Sequence, residues 1–176
     1  MFKIKKLSQT EKIHISDKKC FNYKINIQIE YLIKLSTYWI EYFDDMRCDI
    51  CNNEIYFLAI HLIRHYYYKS NIVSDNFKYS IACYYIACCI YGTSDFNVNA
   101  VLFSFNTLDN TYTSEIISNT ICDIIMSFNC NFYITTYYHY LQIKQTHINS
   151  HVLKLLKFAL NKHETWLYTK ENVINW

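Results

Sequence analysis

The chain has 176 residues, with 17 Lys plus Arg against 15 Asp plus Glu (net charge +2), eight cysteines, one glycine and no proline. So even a balance argues against nucleic acid as the main partner, which would call for a dominant basic surface, and the length fits one domain with a real core. A single glycine also excludes Walker, Rossmann and G-x-S-x-G motifs, each of which needs more than one.

Residues 1–24 carry six lysines (Lys3, Lys5, Lys6, Lys12, Lys18 and Lys19) with weak periodicity, and read as a basic, solvated arm. The opening MFKIKKLSQTEK is charged but has no apolar run, so no signal peptide is expected. From Asn26 a helical period appears. Ile29, Leu32, Ile33, Trp39, Ile40 and Phe43 predict a first helix of about 18 residues. Asn53, with Glu54 in the first turn, predicts the start of a second helix. Tyr56, Ala59, Ile60, Ile63, Tyr66 and Tyr67 form its apolar stripe.

Ser74-Asp75-Asn76 predicts the cap of a third helix running to the Gly92 break. From Tyr79 to Ile90 only Ser80 is polar, so no face is reserved for water. A helix apolar all round is either a membrane span or the centre of a bundle. This run is too short for the roughly 20 residues of a span, which leaves the bundle. Asn97 to Phe105 reads as a short fourth helix, favoured over a strand because no partner strand is evident. Thr113 caps a fifth helix, with Ile117, Ile121, Ile124, Ile125 and Phe128 on one face. Two further amphipathic patterns follow, at Thr135–Ile143 and His151–Trp166. In the second, Val152, Leu155, Leu156, Ala159 and Trp166 need cover. The fold class expected is all-α.

The cysteines do not suggest a disulfide frame. Cys83, Cys88, Cys89, Cys122 and Cys130 fall in or beside apolar stretches, where a free thiol packs like a small hydrophobe. That pattern points to a reducing compartment, cytoplasm or nucleus. Cys48 and Cys51 with His61 and His65 give C-x2-C-x9-H-x3-H, an imperfect zinc pattern beside which ordinary thiols and partly exposed histidines are the favoured reading. Cys122 with His139 has the residue types of a nucleophile and base, but the Ile-rich surroundings of Cys122 predict a core thiol. No catalytic residue and no bound metal or cofactor is expected. Tyr66-Tyr67-Tyr68 and Tyr137-Tyr138-His139-Tyr140 read as amphipathic helix edges rather than base-stacking platforms, since no basic residues interleave them. His147 and His151 read as exposed polar positions near a helix start.

The order of these parts resembles the cyclin box. LDNTYTSEII (Leu108 to Ile117) is similar to the turn that opens the fifth helix of mitotic-type cyclins. SIACYYIACC (Ser80 to Cys89) resembles that family's third helix, LAIHLIRHYY (Leu58 to Tyr67) its second, and Trp39-Ile40-Glu41 its first. FNCNFYITT (Phe128 to Thr136) matches the exit from the fifth. IEYLIKLSTY (Ile29 to Tyr38) is equally similar to short, single-box cyclins, so the subfamily stays open. The resemblance implies a five-helix bundle around a buried central helix over 25–143. Residues 144–176 would then add one or two helices in place of a second repeat.

The resemblance further implies a regulatory subunit that binds and activates a cyclin-dependent protein kinase, with no enzymatic activity, small-molecule substrate, nucleic acid or membrane of its own. The family uses an apolar patch on its third and fifth helices, a Lys ending the third and a Glu inside the fifth. Here the patch would comprise Ile86, Cys89, Ile90, Ile121, Ile125 and Phe132. The Lys position falls on Cys89 and the Glu position on Ile121, with Asp123 on a different face. The Met-Arg-x-x-Leu docking motif falls at Leu32–Ser36 and is not kept. Each charge-assisted bond lost costs about 1.5–3 kcal/mol, which makes a non-activating adaptor or decoy the alternative.

Overall fold

The computed structural model describes residues 27–46, 53–70, 76–92, 96–106, 111–144 and 148–160. Among these residues there are seven helices and no strand. They are α1 (Ile27–Met46), α2 (Asn53–Ser70), α3 (Asn76–Ile90), α4 (Val98–Asn106), α5 (Ser114–Ser127), α6 (Tyr137–Lys144) and α7 (Ser150–Leu160). Two compact units result. Gln28–Phe132 holds α1 to α5, and the second unit holds α6 and α7. No helix among the described residues is long and apolar enough to cross a membrane. Cys48, Cys51, the Ser74-Asp75 cap, Leu108–Asn110, His147 and Trp166 lie outside the described residues.

Helix α3 is the centre of the larger unit and packs on α2 and α5. Phe77, Tyr79 to Tyr84 and Ile86 to Cys88 are buried, so the helix is enclosed as its sequence requires. Each large apolar side chain taken out of water there contributes about 1.5–3 kcal/mol. Small residues at Ser80, Ala82, Cys83 and Ala87 let neighbours approach, all four at 0% exposure. Enclosure ends at Cys89 and Ile90, which emerge into solvent. The helix stops at Gly92, whose φ of 72° needs the left-handed region that glycine enters without penalty. A Cβ there would meet nothing within 4 Å, so the demand on this position is conformational alone.

The expected stripe of α2 is too narrow. Ile55, Phe57, Leu58, Leu62 and Arg64 are buried as well, so α2 is enclosed almost as fully as α3. Tyr66 and Tyr67, part of the expected stripe, are interior. Their rings meet Tyr79 of α3 at 5.1 and 5.9 Å. The Tyr67 hydroxyl lies 3.1 Å from Ser36 Oγ of α1, which satisfies both groups inside the core.

Helix α1 lays Ile29, Leu32, Ile33, Ile40 and Phe43 inward as expected. Trp39 is half-buried and meets Phe77 edge-on at 5.2 Å. Two carboxylates tie α1 to the interior helices. Tyr56 of α2 donates to Glu41 Oε1 (3.1 Å), and Tyr84 of α3 donates to Asp44 Oδ1 (2.9 Å). The 98–106 segment is a helix, not a strand, and Asn97 Oδ1 caps it by accepting from the Ala100 N–H at 3.2 Å. Helix α7 starts the same way, with Asn149 Oδ1 accepting from the Val152 N–H at 2.8 Å. Leu156 is buried in this helix and Val152 and Ala159 are half-buried, but Leu155, expected to need cover, is 55% exposed.

Candidate functional site

The site is built on α5 and the last turn of α3. Thr113 caps α5 as its sequence predicts, its Oγ1 accepting from the Ile116 N–H at 3.2 Å with Glu115 in the first turn. Only Ile117, Thr120 and Ile124 are buried along the helix, at i, i+3, i+7. Thr120 was not expected inside. Its hydroxyl donates to the Ile116 carbonyl at 2.8 Å, which removes the cost of burying it. Ile121 and Ile125 sit beside this line and are half-buried, not core.

The exit from α5 is tightly held. Lys69 of α2 donates from Nζ to the Ser127 carbonyl, satisfying one of the four open acceptors of a helix end. The Asn129 N–H reaches Met126 O (2.9 Å) and the Cys130 N–H reaches Ile125 O (3.0 Å), a Schellman-type reversal. It places Asn129 at φ 51° and Cys130 at φ 56°. Asn accepts this region with little penalty; for Cys it is a less favourable conformation. At the C-cap, Phe128 lies between His65 of α2 (4.6 Å) and Phe132 (5.7 Å), tilted against both, and His65 lies nearly parallel to His61 at 6.4 Å and 13°. These four rings form one ladder from α2 to the end of the unit.

The six expected site residues therefore fall into three groups. Ile86 is buried at 4% exposure and belongs to the packing beneath the surface. Cys89 and Ile90 are exposed at the end of α3, with Ile90 at 40%. Ile121, Ile125 and Phe132 are half-buried along the flank of α5 and its exit. The fold packs α3 on α5, so the helices carrying the residues are joined. Phe128, which links Phe132 to α2, could be read from sequence only as a core position of α5.

The thiols differ from expectation. Cys83 and Cys88 are buried, but Cys89, Cys122 and Cys130 are exposed. Cys89 lies past the enclosed part of α3, and Cys122 lies on the outer side of α5, where no helix covers it. Burial pushes the Cys83 thiol far up, which keeps it protonated and inert. The Tyr85 hydroxyl is raised too, first by its hydrogen bond with Cys89 one turn on. Burial, then the neighbouring Tyr79 hydroxyl and the Asp123 carboxylate, push the Tyr66 hydroxyl up. Asp123 thus lies within electrostatic reach of Tyr66 on α2.

His139 is occupied structurally. Its Nδ1 accepts the Thr136 N–H at 3.1 Å and lies 2.8 Å from Thr136 Oγ1, closing the cap of α6. Among the described residues no group of three or more His, Cys, Asp or Glu could hold a metal ion. Comparison with known proteins finds no matching family model, no matching curated protein and no matching solved structure.

Proposed function

We propose that this protein is a cyclin-like regulatory subunit that binds and activates a cyclin-dependent protein kinase. The reading rests on the five-helix order with an enclosed third helix, on the resemblance of the sequences Ser80–Cys89 and Leu108–Ile117 to the cyclin box, and on one surface. That surface is the half-buried flank of Ile121 and Ile125, continued by Phe132, with the exposed end of α3 at Cys89 and Ile90. Half-buried apolar side chains at a helix flank keep area to bury against a partner, unlike Ile86 beneath them. By seating against the αC helix of a kinase, such a surface holds its Glu toward the nucleotide-positioning Lys. The subunit then acts by binding the active arrangement better than the inactive one. A cytoplasmic or nuclear site of action fits cysteines that form no disulfide among the described residues.

The absence of a charged residue at Cys89 and Ile121 favours a second reading, an adaptor or decoy that occupies a kinase or transcription complex without activating it. Affinity capture from cell lysate followed by a kinase assay separates the two. Co-purified kinase that phosphorylates a generic substrate supports activation, and bound but silent kinase supports the decoy. No kinase at all overturns both kinase readings. Replacing Ile125 and Phe132 with Asp should abolish capture while far-UV circular dichroism stays unchanged. Persistent capture would place the interface elsewhere.

A further inference from the structure

We propose that the protein self-associates, with α7 of one copy docking on the outer face of α1 of a second copy. The two helices each bury one face and expose another, and their net charges are opposite in sign.

On α1, Tyr31, Tyr38 and Tyr42 are 61%, 60% and 39% exposed. At i, i+7 and i+11 they fall on one line, opposite the buried Ile33 and Ile40. The helix carries four carboxylates (Glu30, Glu41, Asp44 and Asp45) against Lys34 alone. Lys34 is paired with Glu30 at 3.1 Å, Glu41 and Asp44 are half-buried and accept from Tyr56 and Tyr84, and Asp45 stands exposed beside the tyrosine line. Three of those carboxylates stand in the last two turns, with no base in the final one. Negative charge at the negative end of a helix dipole is unfavourable, and a cationic neighbour would relieve it.

On α7 the pattern is reversed. Lys154 and Phe158, one turn apart, lie opposite the buried Leu156 and Leu160, with Leu155 beside them. Phe158 is 62% and Leu155 55% exposed. The helix holds Lys154 and Lys157, an exposed His151 and no acid. Apolar side chains of α7 can cover the tyrosine line while its lysines meet Asp45 and its neighbours. Lysine over a tyrosine ring adds a further attraction. Each copy has both faces, so each can offer a dock to another copy and receive one. This pairing does not use the α3–α5 surface and does not rest on the kinase reading.

Sedimentation velocity of the full chain tests it. The expected result is a monomer–dimer equilibrium that shifts toward monomer as salt rises to about 0.5 M. The variant K154E/K157E, and separately D45K, should each weaken the dimer by about tenfold or more, since like charges then face each other. Mixing the two variants should restore a dimer, because the mixed pair has one native dock and one with both charges reversed. All three positions lie on helix surfaces, and unchanged circular dichroism confirms folding. A monomer at every concentration, a dimer indifferent to K154E/K157E, or no recovery on mixing would overturn the proposal.

Discussion

Helices α3 and α5 are of similar length and both draw on isoleucine, cysteine and serine, yet α3 buries ten of its fifteen residues and α5 only three of its fourteen. The apolar residues do not decide this. In α3 nothing polar interrupts the run after Ser80, so no side of the helix can be given to water. In α5, Glu115, Ser118, Asn119 and Asp123 recur on the outer side and release it. An enclosed helix is constrained sterically at every position. A helix with one inner line can carry a binding flank, and Ile121 and Ile125 occupy the border where that flank would lie.

Tyr84→Ala breaks this contrast at its strongest point. The side chain is fully buried against Phe43 and Phe96 and donates to Asp44. Its loss should cost about 3–5 kcal/mol in denaturant unfolding, whereas Cys122→Ser on the outer side of α5 should stay within about 0.5 kcal/mol. Alkaline titration separates the two regions next. Burial, with the Glu41 carboxylate, raises the Tyr56 hydroxyl well above its ordinary value, and burial, with Glu54, pushes Tyr91 up to about 12. Unfolded tyrosine releases its proton near pH 10. The stability these two groups contribute is therefore intact below pH 10 and is lost as pH rises, for Tyr91 up to about pH 12. Thermal melts from pH 9 to 12 should show a fall beginning near pH 10, reduced in Tyr91→Phe.

Smaller effects belong to α5. Thr113→Ala removes its cap and should cost about 1 kcal/mol, with Thr113→Ser restoring most of it. Smallest of all, alkylation under native conditions should label Cys89, Cys122 and Cys130 and leave the fold intact, while Cys83 and Cys88 react only on unfolding. Peptide mass mapping reads this directly, and early labelling of Cys83 would contradict the enclosure of α3.

Helix existence was legible where apolar spacing and caps agreed, as at Thr113 and at the Gly92 break. Burial was legible for α3 because its sequence leaves no alternative. It was less legible where a residue's chemistry suits both environments. Tyr66 and Tyr67 are inside while Tyr31 and Tyr38 are outside, and the hydroxyl that Ser36 satisfies in Tyr67 has no signature in the sequence. Thr120 and Ser36 are core positions because the Ile116 carbonyl takes the hydroxyl of the first and Tyr67 of α2 that of the second, a matter of geometry. Of the candidate site, the residues could be named from the family resemblance, but their depth could not. Ile86 and Ile90 are four positions apart on one helix, and only the packing of α2 and α5 separates the covered from the exposed.

The bond from Lys69 to the Ser127 carbonyl joins positions 58 residues apart in the chain. The end of α5 is therefore completed only after both segments have been synthesised and brought together, since a closure of that length precedes any gain from it. A nascent or half-assembled molecule would lack the finished flank, and a partner seated there would select mature copies. By the same linkage its occupancy would raise the melting temperature of the whole unit, because it binds the folded chain and not the unfolded one.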